Sequence, residues 1–276
     1  TGYVSGACTH PDYRNRGAMR ELLSQAFTRM LHNDMSISTL IPAEPWLFGY
    51  YAGMGYVPVF KYSSTTFTAS EVTIADETAV LNKINDYQEE SYHYLNQKLR
   101  ERPYCIQHTE TDFRVILADL QLGEGYVYTL KQGDKITALA IVYPAGSTWQ
   151  AGEIVAETPG MYPLLLQRIC EQLNIPSIRV ISPSETEPAP QVLGMARIIN
   201  AKTILQRYAA EHPGLEMSIA LTDPQISANN GYYYLNNGKC MNSAKRLPGS
   251  HLALTVGELA EKILSPSNPY MSLMLN

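Results

Sequence analysis

Apolar side chains recur along the chain with periods of about 2 and about 3.6 residues, and the switches between them mark out the elements. Residues 1–9 alternate in strand fashion until His10-Pro11-Asp12 breaks the pattern. Met19, Leu22, Leu23, Ala26, Phe27, Met30 and Leu31 then follow at i, i+3, i+4, i+7 spacing, which predicts an amphipathic helix from Ala18 to near Asn33. Residues 36–41 read as a short strand, 42–55 as a Pro/Gly/aromatic loop carrying a short helix, and 56–68 as a strand. This order predicts a βαβ unit with parallel strands and a right-handed crossover.

Residues 70–78 are mostly polar and read as a boundary. Beyond them, 79–100 reads as helix, and 113–120 is an apolar patch compatible with helix or strand. A hairpin is expected from 126–130 and 136–143 around Gln132-Gly133-Asp134. Strand 152–157, amphipathic helix 161–173 and strand 178–181, expected to close the sheet, complete this part. Residues 182–190, with Pro183, Pro188 and Pro190, read as the clearest linker. After it come strand 196–200, helix 201–210 and short strands at 217–221, 231–235 and 239–243. A last helix starts at Thr255, with Glu258 at capping-box spacing, ends near Leu264 and leaves a tail from Ser265 to Asn276. The fold class expected is α+β (mixed α/β), in more than one domain.

Composition removes several classes of function. The chain has 276 residues, 17% charged and 45% hydrophobic, with 19 tyrosines, which is too apolar and aromatic for disorder. At about 100–200 residues per domain, two or three domains are expected. A net charge of −5 argues against a nucleic-acid partner, whose phosphates need clustered Lys and Arg. No apolar run approaches the roughly 20 residues that cross a bilayer, and no secretory leader pattern opens the sequence, so a soluble protein is expected. Cys8, Cys105, Cys170 and Cys240 are scattered without zinc-ligand spacing. Cys8 in a strand-like pattern and Cys170 in a helical one predict buried free thiols, no metal and a cytoplasmic location.

The sharpest chemical feature is Arg14-Asn15-Arg16-Gly17-Ala18, between a strand and the start of an amphipathic helix. Such a turn presents consecutive backbone N–H groups at the positive end of a helix dipole. Gly17 permits close approach, and Arg14, Arg16 and Arg20 add charge, so a pyrophosphate is the natural ligand. An isolated Arg-x-x-Gly more commonly means solvated arginines at a helix start; the flanking strand and apolar helix favour the phosphate reading here. The histidines form no sequence cluster. His10 reads as a turn residue before Pro11, and His32 as a partner of the helix C-terminus.

This loop resembles the acetyl-CoA loop of the GNAT superfamily of N-acetyltransferases, R/Q-x-x-G-x-G/A, with Met19 in place of the last small residue. The longer stretches Thr9-His10-Pro11-Asp12-Tyr13-Arg14-Asn15-Arg16-Gly17 and Gly49-Tyr50-Tyr51-Ala52-Gly53-Met54-Gly55-Tyr56 resemble one subgroup, the Eis (enhanced intracellular survival) acetyltransferases. The resemblance implies a catalytic acetyltransferase domain, a second one lacking the cofactor loop, and a sterol-carrier-protein-like C-terminal domain. These would fall at 1–69, 70–183 and 191–276. The second junction, Ala156-Glu157-Thr158-Pro159-Gly160, is acidic where a phosphate loop would be basic. In that family the first domain begins with further strands and helices, so the sequence is expected to lack the N-terminal part of its catalytic domain.

By the same resemblance, acetyl-CoA is the co-substrate, and backbone groups of Ala7, Cys8 and Thr9 hold its pantetheine. Arg14, Asn15, Arg16, Gly17, Ala18, Met19 and Arg20 form the pyrophosphate loop, and Ala43 and Glu44 add a contact. Tyr51 matches the general acid. A phenol near ~10 and a thiol near ~8.5 make the proton transfer close to balanced. The C-terminal carboxylate, here that of Asn276, matches the general base. The implied acceptor is an amine of a small cationic molecule, aminoglycoside- or polyamine-like, and the implied assembly is a homo-oligomer, with a hexamer the family form. Two other readings stand beside this one: a lipid- or sterol-binding protein acting through its C-terminal domain, and a catalytically dead relic.

Overall fold

The structure is a computed structural model of the chain and describes residues 1–71, 76, 78–184 and 189–274. In chain order the elements begin with β1 (Gly2–Val4), α1 (Ala18–His32), β2 (Ile37–Leu40), α2 (Leu47–Ala52) and β3 (Val57–Thr68). Next come β4 (Ala79–Ile84), α3 (Glu89–Glu101), α4 (Glu110–Leu122), β5 (Tyr126–Gln132), β6 (Lys135–Ala145), β7 (Thr148–Ala156), α5 (Met161–Leu173) and β8 (Ser177–Pro183). The last are β9 (Gln191–Ile198), α6 (Ala201–Glu211), β10 (Met217–Thr222), β11 (Gly231–Asn236), β12 (Lys239–Ser243), β13 (Leu252–Thr255) and α7 (Val256–Leu264). The mixed α/β class is as expected. Contacts divide the chain into two compact units, the first from Thr1–Phe60 and Val192–Asn268, the second from Lys61–Gln191 with residues 269–274.

In the first unit β1 and β2 run parallel, with Val4 opposite Leu40, which is the pairing the βαβ pattern predicts. β9 lies antiparallel on the other side of β2. Leu23 and Phe27 of α1 pack with Leu40, Tyr51, Met54, Tyr56, Met195 and Ile226. A four-stranded sheet in the order β12-β11-β10-β13 stands beside α6 and α7, whose Leu205, Ala209, Leu259 and Ile263 bury against Ile219, Tyr233 and Leu235. The Thr255–Glu258 capping box forms as its spacing predicts: Thr255 Oγ1 accepts from Glu258 N–H at 3.2 Å, and Glu258 accepts from Thr255 N–H at 2.7 Å.

In the second unit the strands follow the order β3-β8-β7-β6-β5-β4. β7, α5 and β8 repeat the parallel strand–helix–strand plan, with Gln150 opposite Arg179 and Ala151 opposite Val180. One core lies under α5, built on Leu164, Leu165, Ile169, Ala138, Ala140 and Val180. Another lies under α3 and α4, built on Leu95, Leu99, Phe113, Leu117, Val127 and Leu139.

Several expectations are corrected. Residues 79–100 are not one helix: Ala79–Ile84 pairs antiparallel with β5, and the helix starts only at Glu89. The short apolar run there supports either period, and pairing against β5 decides it. Residues 178–181 do not close the sheet, because β8 sits between β7 and β3. Strand 1–9 is shorter, ending at Val4, and strand 196–200 instead starts at Gln191. The apolar patch 113–120 resolves as helix α4, capped by Thr109 and Asp112. The linker and boundary expected at 182–190 and 70–78 fall partly outside the described residues. Cys8 is exposed rather than buried, since the strand ends before reaching it; Cys170 is buried, and all four thiols are free.

Candidate active site

The C-terminal ends of β1 and β2 stand side by side, the place where open parallel sheets bind ligands. Past Val4 the ladder stops, and the chain turns through Gly6 at a φ of 65°. Ala7 and Cys8 are exposed, and among the described residues neither makes a backbone hydrogen bond with another backbone group. Their peptide groups are free to pair with an extended ligand, as a strand edge is.

The next segment builds a turn. His10 caps a short helical turn at Pro11–Tyr13, its Nδ1 accepting from the Asp12 N–H at 3.4 Å, which fits the turn role expected for it. Arg14 Nε donates to the Thr9 carbonyl at 3.2 Å and so ties the turn's two ends together. The Arg16 guanidinium sits 5.3 Å from the centre of the Tyr13 ring, a cation–π distance. Asn15 and Gly17 hold φ values of 60° and 80°, the left-handed region. At Gly17 a side chain would meet no neighbour within 4 Å, so the backbone torsion, not space, calls for glycine there.

Gly17 is the N-cap of α1 and has no side chain with which to cap it. The first-turn N–H groups, those of Ala18, Met19 and Arg20, therefore face outward at the positive end of a 15-residue helix. Arg14, Asn15, Arg16, Ala18 and Arg20 are all exposed, and Met19 is half-buried. This is an open cradle of backbone donors and guanidinium groups, chemically suited to a pyrophosphate. Ala43 and Glu44 are exposed in the segment leaving β2, where the Glu44 carbonyl accepts from Leu47 N–H at 3.0 Å and starts α2.

Tyr51 lies on α2 and is 7% exposed. Its ring meets those of Tyr50 and Tyr56 edge-on, at 5.4 and 5.8 Å between centres. Burial, and then the neighbouring Tyr50, raises the Tyr51 phenol above its ordinary value, so it keeps its proton well past neutral pH. Tyr56 is buried with its hydroxyl 2.7 Å from Ser38 Oγ, and burial pushes its phenol up to about 12. Tyr51 is thus packed as a proton-bearing side chain inside an aromatic cluster, and Asn276 lies outside the described residues.

A buried pair that the sequence reading did not anticipate holds the turn after Tyr51. Arg197 on β9 is 0% exposed; its Nε donates to the Met54 carbonyl at 2.8 Å and its Nη2 to Asp223 Oδ1 at 2.6 Å. Asp223 also accepts from Asn229 Nδ2 at 2.8 Å and from the N–H groups of Gln225 and Ile226. The guanidinium lies 4.5 Å from the Phe27 ring centre. Gly55 closes the turn at a φ of 86°, and a Cβ there would meet Val256 Cγ1 at 2.7 Å. An arginine inside the apolar run Gly194-Met-Ala-Arg-Ile-Ile was the available signal, but Met54, whose carbonyl it holds, is 143 residues away.

The second unit's counterpart differs. There the helix N-cap, Gly160, has ordinary right-handed torsions, and Glu157 in the preceding turn pairs with Lys98 at 3.2 Å. Among the described residues no cluster of three or more His, Cys, Asp or Glu side chains could hold a metal, and no helix is long and apolar enough to cross a membrane.

Residues 1–59 match the family model described as acetyltransferase (GNAT) domain. No curated protein matches the chain in sequence. Among solved structures, the chain is similar to a GCN5-related N-acetyltransferase from Kribbella flavida, at 17% identity and a TM-score of 0.70, over 99% of this chain and 79% of that one. A GCN5-related N-acetyltransferase from Anabaena variabilis aligns at 17% identity and a TM-score of 0.67, over 95% and 78% of the two chains. Eis1 from Mycobacterium abscessus aligns at 13% identity and a TM-score of 0.66, over 95% and 72%. At these identities the likeness is one of fold. The matched segment contains α1, its cradle and Tyr51.

Proposed function

We propose that the chain is an acetyl-CoA-dependent N-acetyltransferase that acylates amino groups of small cationic acceptors. The observation that carries the reading is the uncapped N-terminus of α1, with Asn15 and Gly17 in left-handed torsions and Arg14, Arg16 and Arg20 exposed around it. These residues fit the diphosphate of acetyl-CoA, which when bound supplies an activated acetyl thioester. The peptide groups of Ala7, Cys8 and Thr9 align the pantetheine arm and orient the carbonyl, and Ala43 and Glu44 flank it from the end of β2.

The acceptor amine attacks directly, so the protein handles protons at two places. Tyr51 donates its proton to the departing thiolate; the raised phenol stays protonated across the working range but is a weaker donor than a free one. The carboxylate of Asn276 takes the proton from the attacking amine; an α-carboxyl is a weak base and needs burial, a raised pKa or a bridging water for this role. In this reading 1–69 is the catalytic domain, 70–183 a degenerate second one and 191–276 a sterol-carrier-like module. An Eis-like homo-oligomer, hexameric and cytoplasmic, goes with it.

The test is acetyl-CoA-dependent thiol release against aminoglycosides, polyamines and lysine peptides. Release above the acceptor-free rate supports the reading and defines the acceptor class. No release, together with no calorimetric binding of acetyl-CoA, overturns it.

A further inference from the structure

The helix that carries Tyr51 is too short to hold itself in place. α2 has six residues and its N-cap Trp46 makes no side-chain capping bond, whereas helices under about 12 residues are marginal on their own. It is fixed from its far end. The Tyr51 carbonyl accepts from the N–H groups of Met54 and Tyr56, at 2.9 and 3.2 Å. Wherever the turn 54–56 sits, Tyr51 goes with it.

Two neighbouring strands grip that turn. Ser38 of β2 and Arg197 of β9 stand opposite each other in the antiparallel register. Ser38 Oγ lies 2.7 Å from the Tyr56 hydroxyl, and Arg197 Nε donates to the Met54 carbonyl at 2.8 Å. Arg197 is itself immobilised, because its Nη1 donates to the Ile198 carbonyl at 2.6 Å and its Nη2 to Asp223. Asn229, 2% exposed, locks Asp223 in turn. It donates to Asp223 Oδ2 and to the Ile199 carbonyl, and its own Oδ1 accepts from the Ala201 N–H at 2.9 Å. From a third side, Val256 and Gly257 at the start of α7 stand against Gly55.

We infer that Arg197, oriented by Asp223, is a positioning residue for Tyr51, and that its grip on the Met54 carbonyl sets the rate of acetyl transfer. The first half stands on the hydrogen bonds above. The second half rests on the proposed role of Tyr51 as the acid. A buried ion pair is a poor source of stability, since apolar side chains would pack there at lower cost. A guanidinium, however, aims several donors in fixed directions at once, which no apolar group can do. Residues far along the chain thereby serve the candidate site through the turn that carries its acid. Arg197 takes no part in bond making; it fixes where the phenol stands.

The experiment pairs amide hydrogen exchange at Met54 and Tyr56 with steady-state acetyl transfer, in two variants that leave no unpaired charge in the core. Arg197→Met combined with Asp223→Asn removes both charges and keeps an acceptor for the Gln225 and Ile226 N–H groups. Arg197→Lys keeps the pair with Asp223 and gives up the fork that reaches Met54. Loss of the bond to the Met54 carbonyl is expected to speed exchange about 10- to 100-fold. The turnover number should fall by a similar factor, with the KM and calorimetric affinity for acetyl-CoA within about 2-fold. In a Tyr51→Phe chain, which has no proton to place, the same changes should lower turnover further by no more than about 2-fold. Unchanged exchange in both variants overturns the positioning, whatever the kinetics. Faster exchange with unchanged turnover overturns its link to the chemistry. A full further loss in the Tyr51→Phe chain overturns that link too, since a merely structural role would act regardless of Tyr51. A parent chain that transfers no acetyl group, or one whose Tyr51→Phe variant keeps its turnover, fails the functional reading instead, while the exchange result still decides whether Arg197 holds the turn.

Discussion

The two parallel strand–helix–strand motifs of this chain share a plan and differ in what stands at the end of the first strand. After β1 the backbone leaves its ladder, the N-cap is a left-handed glycine, and three arginines face solvent. After β7 the N-cap has right-handed torsions and the turn carries Glu157 paired to Lys98, while within β7 Glu153 is buried under Arg102 and Ser272. Each unit also buries an arginine–carboxylate pair for a different purpose: Arg197–Asp223 holds the turn after Tyr51, and Arg102–Glu153 holds a distant segment of the chain. One skeleton can present its strand end as an open anion cradle or fill it with its own side chains. The difference resides in a handful of residues rather than in topology.

The strongest way to break this comparison is to remove the chemistry from the first motif. Tyr51→Phe should lower the turnover number about 10²- to 10⁴-fold and leave calorimetric acetyl-CoA affinity within about 2-fold. Unaltered turnover would remove Tyr51 as the acid. Next in size is the buried support. Asp223→Ala leaves the Arg197 charge without its counter-ion and should cost about 3–5 kcal/mol in urea unfolding. A loss below about 1 kcal/mol would mean that the pair is dispensable. The loops themselves are compared by charge reversal. Arg16→Glu should weaken acetyl-CoA binding about 10-fold or more, whereas Glu157→Arg should leave one site per chain. A second binding event in the Glu157 variant would show that charge alone separates the two loops.

The smallest effect is confined to alkaline pH. Burial raises the Tyr56 phenol from 10.0 to about 12, so the folded chain holds this proton more tightly than the unfolded one. Its contribution to stability is complete below pH 10 and is lost as the pH rises through 12. Unfolding midpoints measured across that window should fall less steeply for Tyr56→Phe than for the parent chain.

Features written in neighbouring residues were legible. The start of α1, the short helix with Tyr51, the β5–β6 hairpin and the Thr255–Glu258 capping box each depend on fewer than about five positions in sequence. Features fixed by remote partners were not. β4 is a strand because β5 offers it a ladder, and no local period says so. Arg197 reads as a polar intruder in an apolar strand until Met54 and Asp223 are placed around it. For the candidate site, the loop was readable as a motif, whereas the burial of Tyr51 against Tyr56, itself packed on Phe27, required the fold to bring remote rings together.

The antiparallel register of β2 with β9 sets an order of assembly. Ile37 is matched with Ile198, so the sheet bearing the cradle acquires this neighbour only after most of the chain has been made. The second unit, nearly contiguous from Lys61 to Gln191, has its own cores and can collapse during synthesis. Until β9 emerges, β2 has an open edge with β1 alone beside it, which is the kind of surface that pairs with the wrong chain. Loop closure on this scale is slow, and the exposed interval is a point at which crowding or a chaperone would govern the yield of native protein.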